Sequence, residues 1–378
     1  VAEKMLKIAL LRNSPRGSKV MLGAERIILA IAEGLDRTRF EPLIVVFSEE
    51  GDTEPPLSVR ANEKGIPVLP LKLKGRFDTG SISALRNILL ENNINIVHSN
   101  EYKSDLIGYL ASRKARIKTI STAHGFIGTD PKIRIYEFID VEILKRLDAV
   151  VAVSDTMKKT LVSKGVPAGK VVTIENSVDL APIDPEEGKK VRRELGIPET
   201  GILIACAGRL SPERGLEFFM EAMAMAIKDN GNIYVIIAGD GPLKKLLEAL
   251  SKNFGISERT RFLGFRDDIE RILCATDVFI SSSLKDSFGM ATVEAMASAR
   301  PVISTDTGIA SQIINGRNGI LVSQKDPVAI YKAVISLAAD PHLREEMGKL
   351  ARETVSLKFL KKAMINGYER AYSELTGN

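Results

Sequence analysis

Two short segments concentrate residue types suited to a phosphorylated ligand. The first, Gly208-Arg209-Leu210-Ser211-Pro212-Glu213-Arg214-Gly215-Leu216, follows the apolar run 202–207 and opens an amphipathic stretch. Two guanidinium groups flanking a strand-end turn suit a diphosphate, since guanidinium donors match phosphate oxygens and ligands of open α/β sheets bind beyond the carboxyl ends of strands. Alone, either arginine would serve equally well in a surface ion pair. The second segment supplies context: Asp286-Ser287-Phe288-Gly289-Met290-Ala291-Thr292-Val293-Glu294-Ala295-Met296 follows the strand-like run 278–281. Gly289 permits close backbone approach, and a helix beginning near Ala291 points its free amides and positive dipole end at phosphate or sugar oxygens. Glu294 then falls in the first turn, where a carboxylate either accepts hydrogen bonds from vicinal hydroxyls or simply stabilises the helix start.

The first half of the chain offers fewer candidates. The run 119–123 delivers His124-Gly125-Phe126, a strand-end histidine able to hydrogen-bond a hydroxyl, whereas His98 reads equally well as a residue that only satisfies a strand end. Gly23 and Glu25 lie at the start of an early helical stretch, Glu25 doubling as an ordinary first-turn charge. Gly239-Asp240-Gly241-Pro242 is an incomplete dinucleotide fingerprint, so it reads as a tight turn with Pro242 at a helix start.

These residues need a scaffold. Apolar, β-branched runs at 7–11, 43–47, 94–98, 119–123, 149–153 and 171–174 alternate with amphipathic stretches, and the pattern repeats at 202–207, 233–238, 260–263, 278–281, 301–304 and 319–322. Near-continuous apolar strands are covered on both faces, so each half is expected to be an α/β, doubly wound parallel sheet. With 378 residues, two such domains each bury a core. The proline-bearing segment 178–185 is expected to join them, giving domains 1–180 and 181–357, followed by a helix over 358–378 that crosses back to the first domain.

Composition narrows the function classes. No apolar run reaches the length of a membrane span, and the early strand-like 8–11 is too short for a signal-peptide core, so a cytoplasmic protein is expected. Cys206 and Cys274 lie in apolar segments, as reduced core residues do. A net charge of +5 without an aromatic-rich basic stripe argues against nucleic acid as partner. No carboxylate-histidine cluster calls for a metal.

Together the two segments resemble the family-4 glycosyltransferases. Residues 208–215 are similar to that family's Gly-Arg-Leu-x-x-Glu-Lys-Gly, and residues 286–296 to its Glu-x7-Glu motif in the form Glu-Gly-Phe-Gly-x4-Glu-Ala-Met. Arg214 stands for the usual lysine and Asp286 for the first glutamate. Leu22-Gly23-Ala24-Glu25 is similar to the family's Gly-Gly-x-Glu, with Leu22 in place of the first glycine.

The resemblance implies a GT-B fold, two Rossmann-like domains facing a cleft, and a retaining transferase that needs no metal or resident cofactor, with a nucleotide-diphosphate sugar as co-substrate. It implies that Arg209 and Arg214 neutralise the diphosphate, Asp286 and His124 meet the donor sugar, and Glu294 binds the ribose. Gly23, Gly208, Ser287, Phe288, Gly289, Met290, Ala291 and Thr292 would form the phosphate cradle, and Phe265 would border the base. The acceptor would be a glycan, a glycolipid or a small hydroxyl compound. The basic runs 72–76 and 113–116 add peripheral association with the inner face of a membrane as an expectation. A nucleotide-sugar epimerase and a catalytically silent sugar-nucleotide binding protein are the competing readings, because both are compatible with the same fold and donor site.

Overall fold

The computed structural model describes residues 5–14, 20–49, 51–75, 78–113, 115–125, 131–180 and 182–377, with the side chains of 131–134 excepted. Arg76, Lys114 and Phe126, which belong to the segments singled out above, lie outside the described residues. The chain divides into two compact units, one comprising residues 1–177 with 361–378 and the other residues 178–360.

The N-terminal unit runs β1 (Leu6–Asn13), α1 (Gly23–Gly34), β2 (Phe40–Glu49), α2 (Pro56–Glu63), β3 (Val68–Leu73), α3 (Gly80–Glu91), β4 (Ile96–Ser99), α4 (Tyr102–Arg113), β5 (Lys118–Ala123), α5 (Pro131–Leu144), β6 (Ala149–Ala152), α6 (Asp155–Ser163) and β7 (Val171–Thr173). Its seven parallel strands are ordered β3-β2-β1-β4-β5-β6-β7. The central strands are apolar on both faces because helices cover both: Ile8, Leu10, Ile44 and Ile96 share one core cluster, and Ala9, Leu11, Val45 and Val97 another. Strand β3 escapes the run-by-run reading of the sequence. It carries Pro70 and alternates exposed with buried residues, as an edge strand does, where a missing amide is tolerated.

The C-terminal unit runs α7 (Pro185–Glu194), β8 (Ile202–Ala207), α8 (Leu216–Asp229), β9 (Ile233–Ala238), α9 (Lys244–Asn253), β10 (Thr260–Gly264), α10 (Ile269–Ala275), β11 (Val278–Ser281), α11 (Met290–Ala297), β12 (Val302–Thr305), α12 (Ala310–Ile313), β13 (Ile320–Val322), α13 (Pro327–Ala339) and α14 (Pro341–Lys358). Six parallel strands are ordered β10-β9-β8-β11-β12-β13. In both sheets the order reverses beside the first strand, leaving a crevice at the carboxyl ends of β1 and β4 and of β8 and β11, where ligands of doubly wound folds bind.

The last helix, α15 (Lys361–Thr376), belongs to the N-terminal unit, where Met364, Ile365, Tyr368 and Tyr372 join its core. It is tied there by polar contacts as well. Tyr372 Oη lies 2.7 Å from His98 Nδ1, and Tyr368 Oη lies 3.1 Å from Thr122 Oγ1. His98 Nε2 meets the same Thr122 hydroxyl at 2.8 Å. His98 is wholly buried, and desolvation pushes its imidazole down to about 3. It holds the helix on the sheet.

Candidate active site

In the C-terminal unit, β8 and β11 end side by side, and their following turns enclose a small pocket. Gly208, Arg209, Arg214, Asp286, Gly289, Ala291 and Thr292 all line it, together with Ser283. Close backbone packing makes this possible. Gly208 N donates to Ala238 O at 2.9 Å, and a Cβ built on Gly239, whose φ is +149°, would lie 1.8 Å from Gly208 O. Only glycine fits at 239.

The two arginines differ in their surroundings. Arg209 is exposed, and its side chain has no hydrogen-bond or ion-pair partner among the described residues. Arg214 is held: Nη1 donates to Asp286 Oδ2 at 2.5 Å and to Ser283 Oγ at 3.2 Å. The rest of its guanidinium lies over the turn, since a Cβ on Gly208 would sit 3.7 Å from Cζ and 3.8 Å from Nε and Nη2. Pro212–Arg214 is a short 3-10 turn rather than the start of the helix, which begins at Leu216 after a left-handed Gly215. The buried Cys206 thiol at the pocket floor is pushed up to about 12 by desolvation, so it stays protonated and is no nucleophile.

Helix α11 starts after Gly289, whose φ of +96° places it in the left-handed region. Val293 N donates to Gly289 O at 3.1 Å, so the amides of Met290, Ala291 and Thr292 have no acceptor within the helix, an end suited to an anion. Two expectations are corrected here. Glu294 lies in the second turn of α11, not the first, because the helix begins at Met290, so a first-turn dipole role does not apply to it. Phe288 does not add its amide to the cradle: that N–H donates to Asp286 Oδ1 at 3.3 Å, and its side chain is buried edge-on against Phe359. Phe288 instead fastens the loop, its carbonyl accepting from Ile309 N at 2.8 Å. Ser287, Met290 and Glu294 are half-buried and do not line the pocket, and neither does Phe265, which is 40% exposed just beyond β10. Pro242 likewise precedes its helix, which starts at Lys244, instead of opening it.

In the N-terminal unit the corresponding crevice holds Arg12, Asn100 and His124 at the ends of three neighbouring strands. His124 Nε2 lies 3.4 Å from Asn100 Oδ1, and Arg12 Nη1 donates to Asn100 O at 3.4 Å. With Asn100 Oδ1 accepting, His124 carries its proton on Nε2 and leaves Nδ1 as an acceptor. Desolvation of the ring, then the charge of Arg12, pushes His124 down to about 3, so the imidazole is neutral at ordinary pH. Glu25 is fully buried, and burial raises its carboxyl; it accepts from Leu22 N at 2.8 Å and from Ser14 Oγ at 3.4 Å, with Arg12 Nε 4.0 Å away. Glu25 thus closes the start of α1. Gly23 stands exposed at that start, with open space where a Cβ would go.

Arg12, Asn100 and Ser283 carry no motif signal. Their one sequence mark is position, as polar residues at the ends of apolar strands. Among the described residues, no three His, Cys, Asp or Glu side chains gather as a metal site.

The model of the glycosyl transferases group 1 family matches residues 188–354, and that of Glycosyltransferase Family 4 matches residues 22–182. The chain is a family-4 glycosyltransferase. Among relatives of this glycosyltransferase, the N-acetyl-alpha-D-glucosaminyl L-malate synthase of Bacillus anthracis is 26% identical over 307 residues, covering 79% of this chain and 80% of that protein. A UDP-Gal:alpha-D-GlcNAc-diphosphoundecaprenol alpha-1,3-galactosyltransferase of Escherichia coli is 26% identical over 348 residues, covering 89% and 88%. The fold of the glycosyltransferase matches the crystal structure of Anabaena Alr3699/HepE in complex with UDP and glucose with a TM-score of 0.86 at 22% identity, over 98% of this chain and 100% of that one. No helix among the described residues of the glycosyltransferase is long and apolar enough to cross a membrane.

Proposed function

We propose that this glycosyltransferase moves a sugar from a UDP- or GDP-sugar to an acceptor hydroxyl with retention of anomeric configuration, in the synthesis of a cell-surface polysaccharide or glycolipid. The observation that carries this reading is a pocket in which Arg209, Arg214 and the start of α11 at Ala291 and Thr292 converge at the carboxyl ends of β8 and β11. Guanidinium and backbone amide donors suit an anionic diphosphate both bound and departing. The bond from the anomeric carbon to the diphosphate breaks, the acceptor oxygen bonds to that carbon, and the acceptor proton passes to the leaving phosphate oxygen.

In this reading Arg209 and Arg214 bear the diphosphate charge, Glu294 takes the ribose hydroxyls and Phe265 borders the base. Neutral His124 accepts a hydrogen bond from a sugar hydroxyl through Nδ1. The chemistry needs no resident cofactor or metal. A UDP donor is favoured by the UDP-Gal named for the Escherichia coli relative and by the UDP in the Anabaena complex. The lipid-linked acceptor named for the same relative supports a glycolipid-type acceptor and peripheral placement at a membrane, as do the exposed Ile135 and Phe138 on α5.

The test is binding and turnover. UDP- and GDP-sugars are screened by thermal shift on the wild type, Arg209→Ala and Glu294→Ala. Each variant is expected to bind the selected nucleotide at least about 10-fold more weakly, the loss of one charge-assisted contact. Equal shifts in all three proteins would overturn the site. Interconversion of the sugar without acceptor would point to an epimerase, and binding without turnover on any acceptor to a silent binding protein.

A further inference from the structure

Arg214 and Asp286 differ from the residues usual in the resembling motifs, and the structure places the two in direct contact. Their sizes change in opposite directions. Arginine extends one atom further than lysine to its terminal nitrogen, and aspartate is one methylene shorter than glutamate, so the span from backbone to backbone across the pair is conserved. We propose that Asp286 is a positioning residue for Arg214, that the two form a matched pair, and that the arginine requires the aspartate to present its phosphate-binding edge.

The geometry shows what the match achieves. Both hydrogens of Nη1 are engaged, one by the Asp286 carboxylate and one by the Ser283 hydroxyl. Asp286 is itself fixed by the Phe288 amide, which donates to its other oxygen. The guanidinium is planar, so anchoring one nitrogen orients the remaining fork of Nε and Nη2 along the Gly208 turn. That edge offers two parallel N–H donors to a diphosphate while the opposite end stays bound to protein. The side chains are 29% and 12% exposed, which keeps the pair half-shielded from water and its orientation defined. An ammonium has only one nitrogen. A lysine at 214 opposite an aspartate would fall short of the carboxylate or leave the phosphate to reach it, and a glutamate opposite Arg214 would push the carboxylate across the fork.

This inference rests on the donor-site reading above, and the experiment separates the two. Binding of UDP, and of GDP in parallel, is measured by calorimetry on the wild type, Arg214→Lys, Asp286→Glu and the double variant, with Arg209→Ala as the control for the site. Melting without ligand confirms that each variant is folded. Each single substitution is expected to weaken nucleotide binding about 10-fold, whereas the double variant returns to within about 3-fold of the wild type, a coupling that independent residues do not show. If the single losses multiply in the double variant, or if either single substitution is silent, the matched pair is wrong while the donor site stands. If neither nucleotide binds the wild type, or Arg209→Ala binds as the wild type does, the donor-site reading fails and this inference falls with it.

Discussion

The two units build their polar sites in opposite ways. In the C-terminal unit the pocket residues come from two segments, 206–216 and 280–292, and two cations stand at its surface, one exposed and one tethered. In the N-terminal unit the polar residues are gathered from the whole chain, from Arg12 through His98, Asn100, Thr122 and His124 to Tyr368 and Tyr372 of the final helix. All but the half-buried His124 are buried, and both histidines are held neutral by desolvation. A charged ligand needs donors that water can reach until it binds. A hydrogen-bonded clamp needs groups that water never reaches, because a buried partner left unpaired costs the full desolvation of that group. The same fold therefore leaves solvent-accessible cations at the strand ends of one unit and docks the C-terminal helix by buried polar contacts in the other.

The largest test of this contrast is on the backbone of the C-terminal pocket. Gly239→Ala forces a Cβ into Gly208 O at a φ favoured by glycine, so calorimetry should show that unit destabilised by about 3 kcal/mol or more, with the N-terminal unit unchanged. Equal melting of both units would break the comparison.

The next test is the pH dependence of the clamp. His98 titrates near 6.5 when unfolded and near 3 when folded, so its contribution is fully present above pH 6.5 and is lost as pH falls from there toward 3. Asp140 works in the opposite sense: burial raises its carboxyl to about 6, so its contribution is lost as pH rises from 3.8 through 6. A variant isolates the histidine from such groups. Between pH 7.5 and pH 5, urea unfolding should show the wild type losing about 2 kcal/mol more than His98→Asn. Parallel curves would show that His98 is not held neutral.

The smallest effect sharpens the same contrast. Tyr372→Phe keeps the packing of the ring against Phe40 but strands His98 Nδ1, and should cost the N-terminal unit about 1 to 2 kcal/mol without altering nucleotide binding. A change in nucleotide affinity would show that the clamp reaches the donor site.

Much of this was legible in the residues. Apolar runs without alternation marked both parallel sheets, since helices on both faces demand such strands, and only the proline-bearing edge strand β3 slipped through. The C-terminal pocket was legible because most of its polar residues sit in two short segments whose spacing survives into space. The helix start at Met290 was misplaced by one residue, which moved Glu294 out of the first turn, because the capping glycine carries no side-chain signal of where the helix begins. The roles of Phe288 and Asp286 were also beyond a linear reading: one spends its amide on the other, and both depend on which loops meet.

The sequence alone determined the class of fold and the family, because periodicity and local motifs are properties of neighbouring residues. Tertiary structure decided that Arg214 is bound to Asp286, that His98 serves the last helix and that Arg12 and Asn100 join His124. Those contacts link residues separated by up to 274 positions, and only the sheet order brings their strand ends together.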